Sequence, residues 1–195
     1  GLASGTLFEV ISTADYILVG TDINNCSNQD TVTVSVLALP VVTTGQDEII
    51  CINDSVQLSA NGANTYLWNP NNTITDNTVS NPTVFPTTLT NYIVTGTDTN
   101  NCSNTDTLKV EVNDLPLIIT SNDTVICIGD RISILASGGV TYQWLNTDSI
   151  SDVSISNPQV WPSLTTDYEV VVTDLNNCVD TCLLYTSDAA DDANC

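Results

Sequence analysis

Short runs along the chain alternate polar and apolar residues with a period of two. Ser55-Val56-Gln57-Leu58-Ser59-Ala60 does so, as do Thr107 to Val112 and Arg131 to Ala136. Successive side chains of an extended segment point to opposite faces, so each run predicts a strand with one buried face. Turn-forming clusters separate the runs: Asn61-Gly62, Asn69-Pro70-Asn71-Asn72, Thr99-Asn100-Asn101 and Gly138-Gly139. Short strands with turns every 8–12 residues, and no helical pattern between them, predict an all-β chain built of antiparallel β-sandwiches.

The pattern recurs. A shift of 76 residues superimposes the chain on itself without a gap: Asn24-Asn25-Cys26 falls on Asn100-Asn101-Cys102, and that on Asn176-Asn177-Cys178. Cys51 falls on Cys127, Tyr66 on Tyr142, Trp68 on Trp144, Asn81-Pro82 on Asn157-Pro158, and Tyr16 on Tyr92 and Tyr168. A unit of this length suits a small self-contained domain rather than a solenoid turn. Leu39-Pro40 and Leu115-Pro116 each open a unit, and proline suits the start of an edge strand. Residues 1–38 are then the last strands of a first repeat, 39–114 a complete repeat, and 115–181 a repeat lacking its final native strand.

Composition narrows the function classes. The chain carries 23 Asp plus Glu against 2 Lys plus Arg and no His, for a formal net charge of −21. Such a surface repels nucleic-acid phosphates and anionic lipid heads. No apolar run of 18 residues exists to cross a membrane. The chain opens on Gly1 without Met or a leader pattern, which reads as a cut within a longer protein. Catalysis lacks its usual parts, since Ser and Thr have no His to act as base. Lys109 and Arg131 do not share a repeat position, and the acids fall in turns. The chain reads as no enzyme.

The cysteines are the most specific chemistry. Cys51, Cys102, Cys127 and Cys178 supply two per repeat, with Cys26 left in the cut unit. The simplest pairing is one disulfide within each repeat, Cys51 with Cys102 and Cys127 with Cys178, in an oxidising compartment. Closing such a loop would stabilise by about 4 kcal/mol in the chain-entropy model. A second pairing stays open. Cys51 precedes strand B and Cys102 follows strand F, which lie at opposite ends of an antibody-type sandwich, so staples between neighbouring repeats are the alternative. Free thiols are a third state. The lack of His and of C-x-x-C spacing argues against zinc.

The loops Asp22 to Asp30 and Asp98 to Asp106 place oxygens at alternate positions, making Asp22, Asn24, Asp30, Asp98, Asn100 and Asp106 calcium candidates. The glycine and the bidentate glutamate of an EF-type loop are missing. A hairpin turn explains the same residues, because Asn tolerates positive φ and Asp bonds its own backbone. No other cofactor is implied. Phe85 and Trp161, each before a proline, read either as a sugar-stacking platform or, more simply, as packed anchors of strand E.

At Cys127-Ile128-Gly129-Asp130, Tyr142-Gln143-Trp144, Thr166-Asp167-Tyr168 and Asn177-Cys178 the sequence resembles the Ig-like and PKD-like tandem repeats of giant secreted proteins in Bacteroidota. Cys51-Ile52-Asn53-Asp54, Tyr66-Leu67-Trp68, Thr90-Asn91-Tyr92 and Asn101-Cys102 carry the same likeness. The resemblance covers nearly all of residues 1–181. It implies tandem Ig-like sandwiches, an extracellular or cell-surface location and export by the type IX route. It places Trp68 and Trp144 as the buried strand-C tryptophan, and Tyr92 and Tyr168 as a tyrosine corner. The cysteines depart from the antibody pattern, for Leu58 and Ile134 stand where strand B would carry one. Five triplets of Asp, Ser or Thr, then an aliphatic match an O-glycosylation pattern of that group, marking Thr31, Ser55, Thr107, Thr124 and Ser149. A turn Asp leading into a β-branched strand start explains each triplet equally.

After Thr181 the repeat breaks off. Cys182-Leu183-Leu184-Tyr185-Thr186-Ser187-Asp188-Ala189-Ala190-Asp191 resembles a translated transposon-type sequencing adapter, so residues 182–195 stand outside the fold reading. Leu184 and Thr186 nevertheless fall in register with Leu108 and Val110. The tail is therefore expected to pair with strand F as a substitute last strand, becoming irregular beyond Ser187. Two functions fit the whole. One is a structural stalk or spacer of a secreted or cell-surface adhesin-like protein, its partners being neighbouring repeats. The other is a module binding surface glycans or proteins, attached to a secreted polysaccharide-degrading enzyme.

Overall fold

The structure is a computed structural model that describes residues 9–188. The chain is all-β, with no helix among the described residues. The first hairpin consists of β1 (Ala14–Thr21) and β2 (Ser27–Val34). The second repeat contains β3 (Thr43–Thr44), β4 (Glu48–Cys51), β5 (Val56–Gln57), β6 (Ala60–Asn61), β7 (Thr65–Asn69), β8 (Thr83–Val84), β9 (Thr90–Thr97) and β10 (Ser103–Asn113). The third contains β11 (Ile119–Thr120), β12 (Thr124–Ile126), β13 (Ile132–Ser133), β14 (Ala136–Ser137), β15 (Thr141–Trp144), β16 (Gln159–Val160), β17 (Thr166–Thr173) and β18 (Val179–Asp188). The offset of the sequence repeat maps each of β3 to β10 onto its counterpart among β11 to β18.

Each repeat forms one four-stranded sheet, ordered β4-β10-β9-β7 in the second and β12-β18-β17-β15 in the third. The first strand of each lies parallel to the last, with Val110 opposite Glu48 and Thr124 opposite Thr186. The opposing layer is made of short pairs: β3 with β6 and β5 with β8, then β11 with β14 and β13 with β16. This is the Ig arrangement, with strands A, B and E on one face and A′, G, F and C on the other. In the third repeat Ile134, Ala136 and Val160 from one layer meet Trp144, Tyr168, Val170, Val172 and Leu184 from the other in one core cluster. Trp68 and Trp144 are fully buried, each indole N–H donating to a carbonyl, Trp68 to Val79 and Trp144 to Ile155. That bond satisfies the one polar atom of a side chain otherwise suited to a core.

The turn after strand B needs glycine. Gly62 sits at φ +92° and Gly138 at +108°, and a Cβ on them would fall 1.8 Å from the Val41 carbonyl oxygen and 2.1 Å from that of Leu117. The chain just ahead of strand A passes so close there that no side chain fits.

The final strand runs through the break at Thr181. β18 pairs antiparallel with β17, setting Tyr168 opposite Leu184 and Thr166 opposite Thr186, and both tail residues are buried. The strand extends to Asp188, one residue past the expected change at Ser187. Residues 189–195, including Cys195, lie outside the described residues. Two compact units make up the chain. One holds the chain up to Gln46 with Gln57–Val84 and Asn91–Leu108; the other holds Asp47–Val56, Phe85–Thr90 and the chain from Lys109 onward. These units do not follow the repeat boundaries at Pro40 and Pro116. The segment carrying Cys51 belongs to the second unit.

Candidate functional site

The same turn closes three hairpins. Asp22 Oδ1 accepts from the backbone N–H groups of Asn24 and Cys26, both at 2.8 Å. Asp98 does the same for Asn100 and Cys102 at 2.8 and 2.9 Å, and Asp174 for Asn176 and Cys178 at 2.8 and 2.9 Å. Asn25, Asn101 and Asn177 occupy the left-handed region at φ 62°, 64° and 62°. Asparagine is among the few residues that accept this conformation readily, and aspartate is suited to collecting turn N–H groups.

The calcium candidates have these hydrogen-bond partners. Asp22 and Asp98 are engaged by their own turns, and Asn24 and Asn100 contribute backbone N–H groups to them. Asp30 accepts from the Thr31 N–H. Asp106 reaches across to strand A, accepting from the backbone N–H and hydroxyl of Thr44 at 2.8 and 3.0 Å and from the Thr107 N–H. The Thr44 and Thr107 N–H bonds, then the Thr44 hydroxyl, hold its carboxyl below the usual carboxylate range. Among the described residues no group of three or more His, Cys, Asp or Glu side chains is arranged to hold a metal.

Each turn ends on a cysteine, and here the structure corrects the simplest pairing. Cys51 is bonded to Cys178, with Cα atoms 5.6 Å apart and a sequence separation of 127. Cys102 is free and half-buried, Cys26 free and exposed. Cys127 is disulfide-bonded, but not to Cys178. The reason lies in β10. Cys51 stands opposite Asn113 at one end of that strand, while Cys102 immediately precedes its other end. The extended chain between them spans roughly 36 Å, whereas a disulfide needs Cα atoms within about 7 Å. The cross-repeat pairing is the one the structure contains, and both sulfurs lie in the second compact unit.

Two aromatic expectations also change. The Tyr92 hydroxyl bonds Thr73 and the Tyr168 hydroxyl lies 3.5 Å from the Ser149 carbonyl, partners 19 residues upstream rather than the few of a tyrosine corner. Burial raises the pKa of both phenols. Phe85 is exposed, and the strand-E anchors are the fully buried Val84 in the second repeat and Val160 in the third. Strand alternation sends Val84 inward and its neighbour outward. Trp161 carries instead the Arg131 guanidinium, 4.0 Å above its ring, a cation–π contact. Arg131 aligns with Ser55, so only the third repeat has this pair. A cavity of about 440 Å³ lies in the same repeat, lined by Leu145, Asp148, Ser149, Pro162, Leu164 and Tyr168 among others. The sequence signal for the cation–π pair was the Ser55-to-Arg131 difference. Of the glycosylation candidates, Thr31, Ser55 and Thr107 are exposed, while Thr124 and Ser149 are half-buried.

No protein-family model matches the chain, and no curated protein matches it. Among solved structures it is similar to the IG1+IG2 module of DIP-gamma, at 12% identity over 77% of this chain and 98% of that one, with a TM-score of 0.37. It is similar to the insect immune protein hemolin, at 12% identity over 89% of this chain and 56% of that one, TM-score 0.39. A third is the Ca²⁺-stabilised adhesin with which an Antarctic bacterium reaches out and binds ice, at 14% identity over 91% of this chain and 57% of that one, TM-score 0.41. The fold assignment stands on the strand order and pairing above.

Proposed function

We propose that these repeats are spacer domains of a secreted or cell-surface adhesin-like protein, holding a binding region away from the surface that anchors it. The observation that carries this reading is the strand-for-strand recurrence of the repeats. The inward residues return at the same offset, Leu58 as Ile134, Trp68 as Trp144 and Tyr92 as Tyr168, all buried. A disulfide between successive repeats supports a mechanical role and an oxidising, extracellular location. The reading assigns no catalytic part to the chain: Asp98, Asp76 and Asp152 engage the N–H groups of their own turns. Glycans on the exposed Thr31, Ser55 and Thr107 would shield such a surface, and residues 182–195 remain foreign to the repeat. The test places the full chain between a membrane anchor and a domain of known ligand. Capture of ligand on an opposing surface should improve while the solution Kd of the domain stays unchanged. Unimproved capture, or saturable glycan binding by the chain itself, contradicts the spacer reading.

A second reading, a glycan- or protein-binding module attached to a polysaccharide-degrading enzyme, draws support from one asymmetry. Arg131 on Trp161 belongs to the third repeat alone, since Ser55 stands at the equivalent place in the second. Trp161→Ala would abolish glycan retention if this reading holds, and leave retention unchanged if it does not.

A further inference from the structure

The bond from Cys51 reaches the turn cysteine of the next repeat, one period beyond its counterpart Cys102. We propose that Cys102 is the receiving half of a second bond of the same register, formed with the strand-A′ cysteine of a repeat of this kind standing 127 residues earlier in a continuous array. The inference rests on the observed pairing and not on the spacer reading.

Three observations carry it. The Cys102 turn presents its thiol on the same backbone as the Cys178 turn, with the same pair of Asp-held N–H groups and φ 64° against 62° at the preceding asparagine. The two differ in what lies against them: Cys178 is fully buried beside Cys51, and Cys102 is half-buried and free. Finally, the length of β10 separates Cys102 from the strand-A′ cysteine of its own repeat, so that partner is out of reach. Cys26, on the same turn, receives a bond by the same rule. In an array obeying this register, every repeat gives one cysteine forward and takes one from behind, and no repeat carries a disulfide of its own. The step is oxidative. Two thiols and one low-molecular-weight disulfide such as oxidised glutathione give one protein disulfide and two glutathione thiols. One cysteine thiolate first attacks the small disulfide and expels a glutathione thiolate. The second then attacks the mixed disulfide and expels the other.

The experiment compares the full chain with one lengthened by a second copy of residues 39–114 inserted after residue 38. Both are oxidised with a glutathione redox pair, alkylated and mapped by mass spectrometry without reduction. In the chain as it stands Cys102 should carry the alkyl group. In the lengthened chain the Cys102 of the second copy should lose its alkylation and appear bonded to the Cys51 of the first. Alkylation of that Cys102, or a bond to the Cys51 of its own copy, overturns the proposal. Cys178→Ser in the original chain gives an independent readout. Cys51 and Cys102 should then both alkylate, whereas a Cys51–Cys102 bond would show that the register is not enforced by the strand. Either failure leaves the ligand-capture test of the spacer reading untouched.

Discussion

The hairpin β1–β2 and the hairpin β9–β10 share a turn, a register of inward positions and a closing cysteine, yet they differ in burial. Tyr16, Leu18 and Val32 stand where Tyr92, Val94 and Leu108 stand one period later. Leu18 is 73% exposed and Val32 59%, while Val94 and Leu108 are 0% and 1% exposed. The turn forms in both because its bonds are local: Asp22 and Asp98 hold the same two N–H groups. Burial comes from strands A, B, C and E, which residues 39–114 supply and residues 9–38 do not contain. Turn geometry is thus written in the few residues from Asp22 to Cys26, and core formation in the whole repeat. The third hairpin, β17–β18, adds to the lesson. Seven of the ten residues of its second strand lie beyond Thr181, yet Leu184 is buried like Leu108, because an open edge beside a formed core accepts a strand of roughly suitable alternation.

Breaking the bond that distinguishes the third hairpin should have the largest effect. Cys178→Ser opens a loop of 127 residues, for which the chain-entropy model gives about 5 kcal/mol. Chemical denaturation followed through Trp144 should show the loss, and Cys102→Ser should cost little by comparison. Next come the hairpin tyrosines. Tyr92→Ala and Tyr168→Ala each remove a fully buried ring and should cost about 3–5 kcal/mol, measured by urea unfolding. Tyr16→Ala should cost less than about 1 kcal/mol, as expected of a site outside a packed core. Equal costs at Tyr16 and Tyr92 would break the comparison.

Much of this was legible in the sequence, for reasons the particular residues make clear. Trp68, Trp144 and the inward members of each alternating run announce burial by their chemistry and spacing, and the repeat offset carried each strand to its counterpart. The cysteine pairing was not legible, because two cysteines per repeat satisfy a bond within the repeat as well as one across it. What decides is the end of β10 each one occupies, and that depends on β4 lying parallel to β10. Phe85 and Trp161 misled for a similar reason: proline after an aromatic marks a strand end but not which face the ring takes. The Asp-rich loops carry the same residues as a calcium loop, and only the hydrogen bonds of Asp22 and Asp98 show them serving turns.

Smaller effects sharpen the comparison between β10 and β18. Asp106 ties β10 to Thr44, whereas the equivalent position in β18 is Cys182. Cys182→Asp should stabilise the third repeat by about 1 kcal/mol through new bonds to Thr120, seen as a raised thermal midpoint. Asp106→Asn should weaken the second repeat by a similar or smaller amount. The folded-state pKa of Asp106 is depressed below 3.8, so its contribution is present above that value and lost as pH falls through the depressed pKa. Urea unfolding between pH 5 and pH 2, taken as roughly the span of carboxylate titration, should show a shallower acid loss in Asp106→Asn than in the parent chain.

The central claim, that the turn cysteine of one repeat is bonded to the strand cysteine of the repeat before it, is tested most directly by mapping the oxidised chain itself. Digestion at low pH to prevent exchange, followed by mass spectrometry without reduction, should yield a linked peptide pair containing Cys51 and Cys178, with Cys102 recovered as a free thiol. A linked pair containing Cys51 and Cys102 would contradict the account.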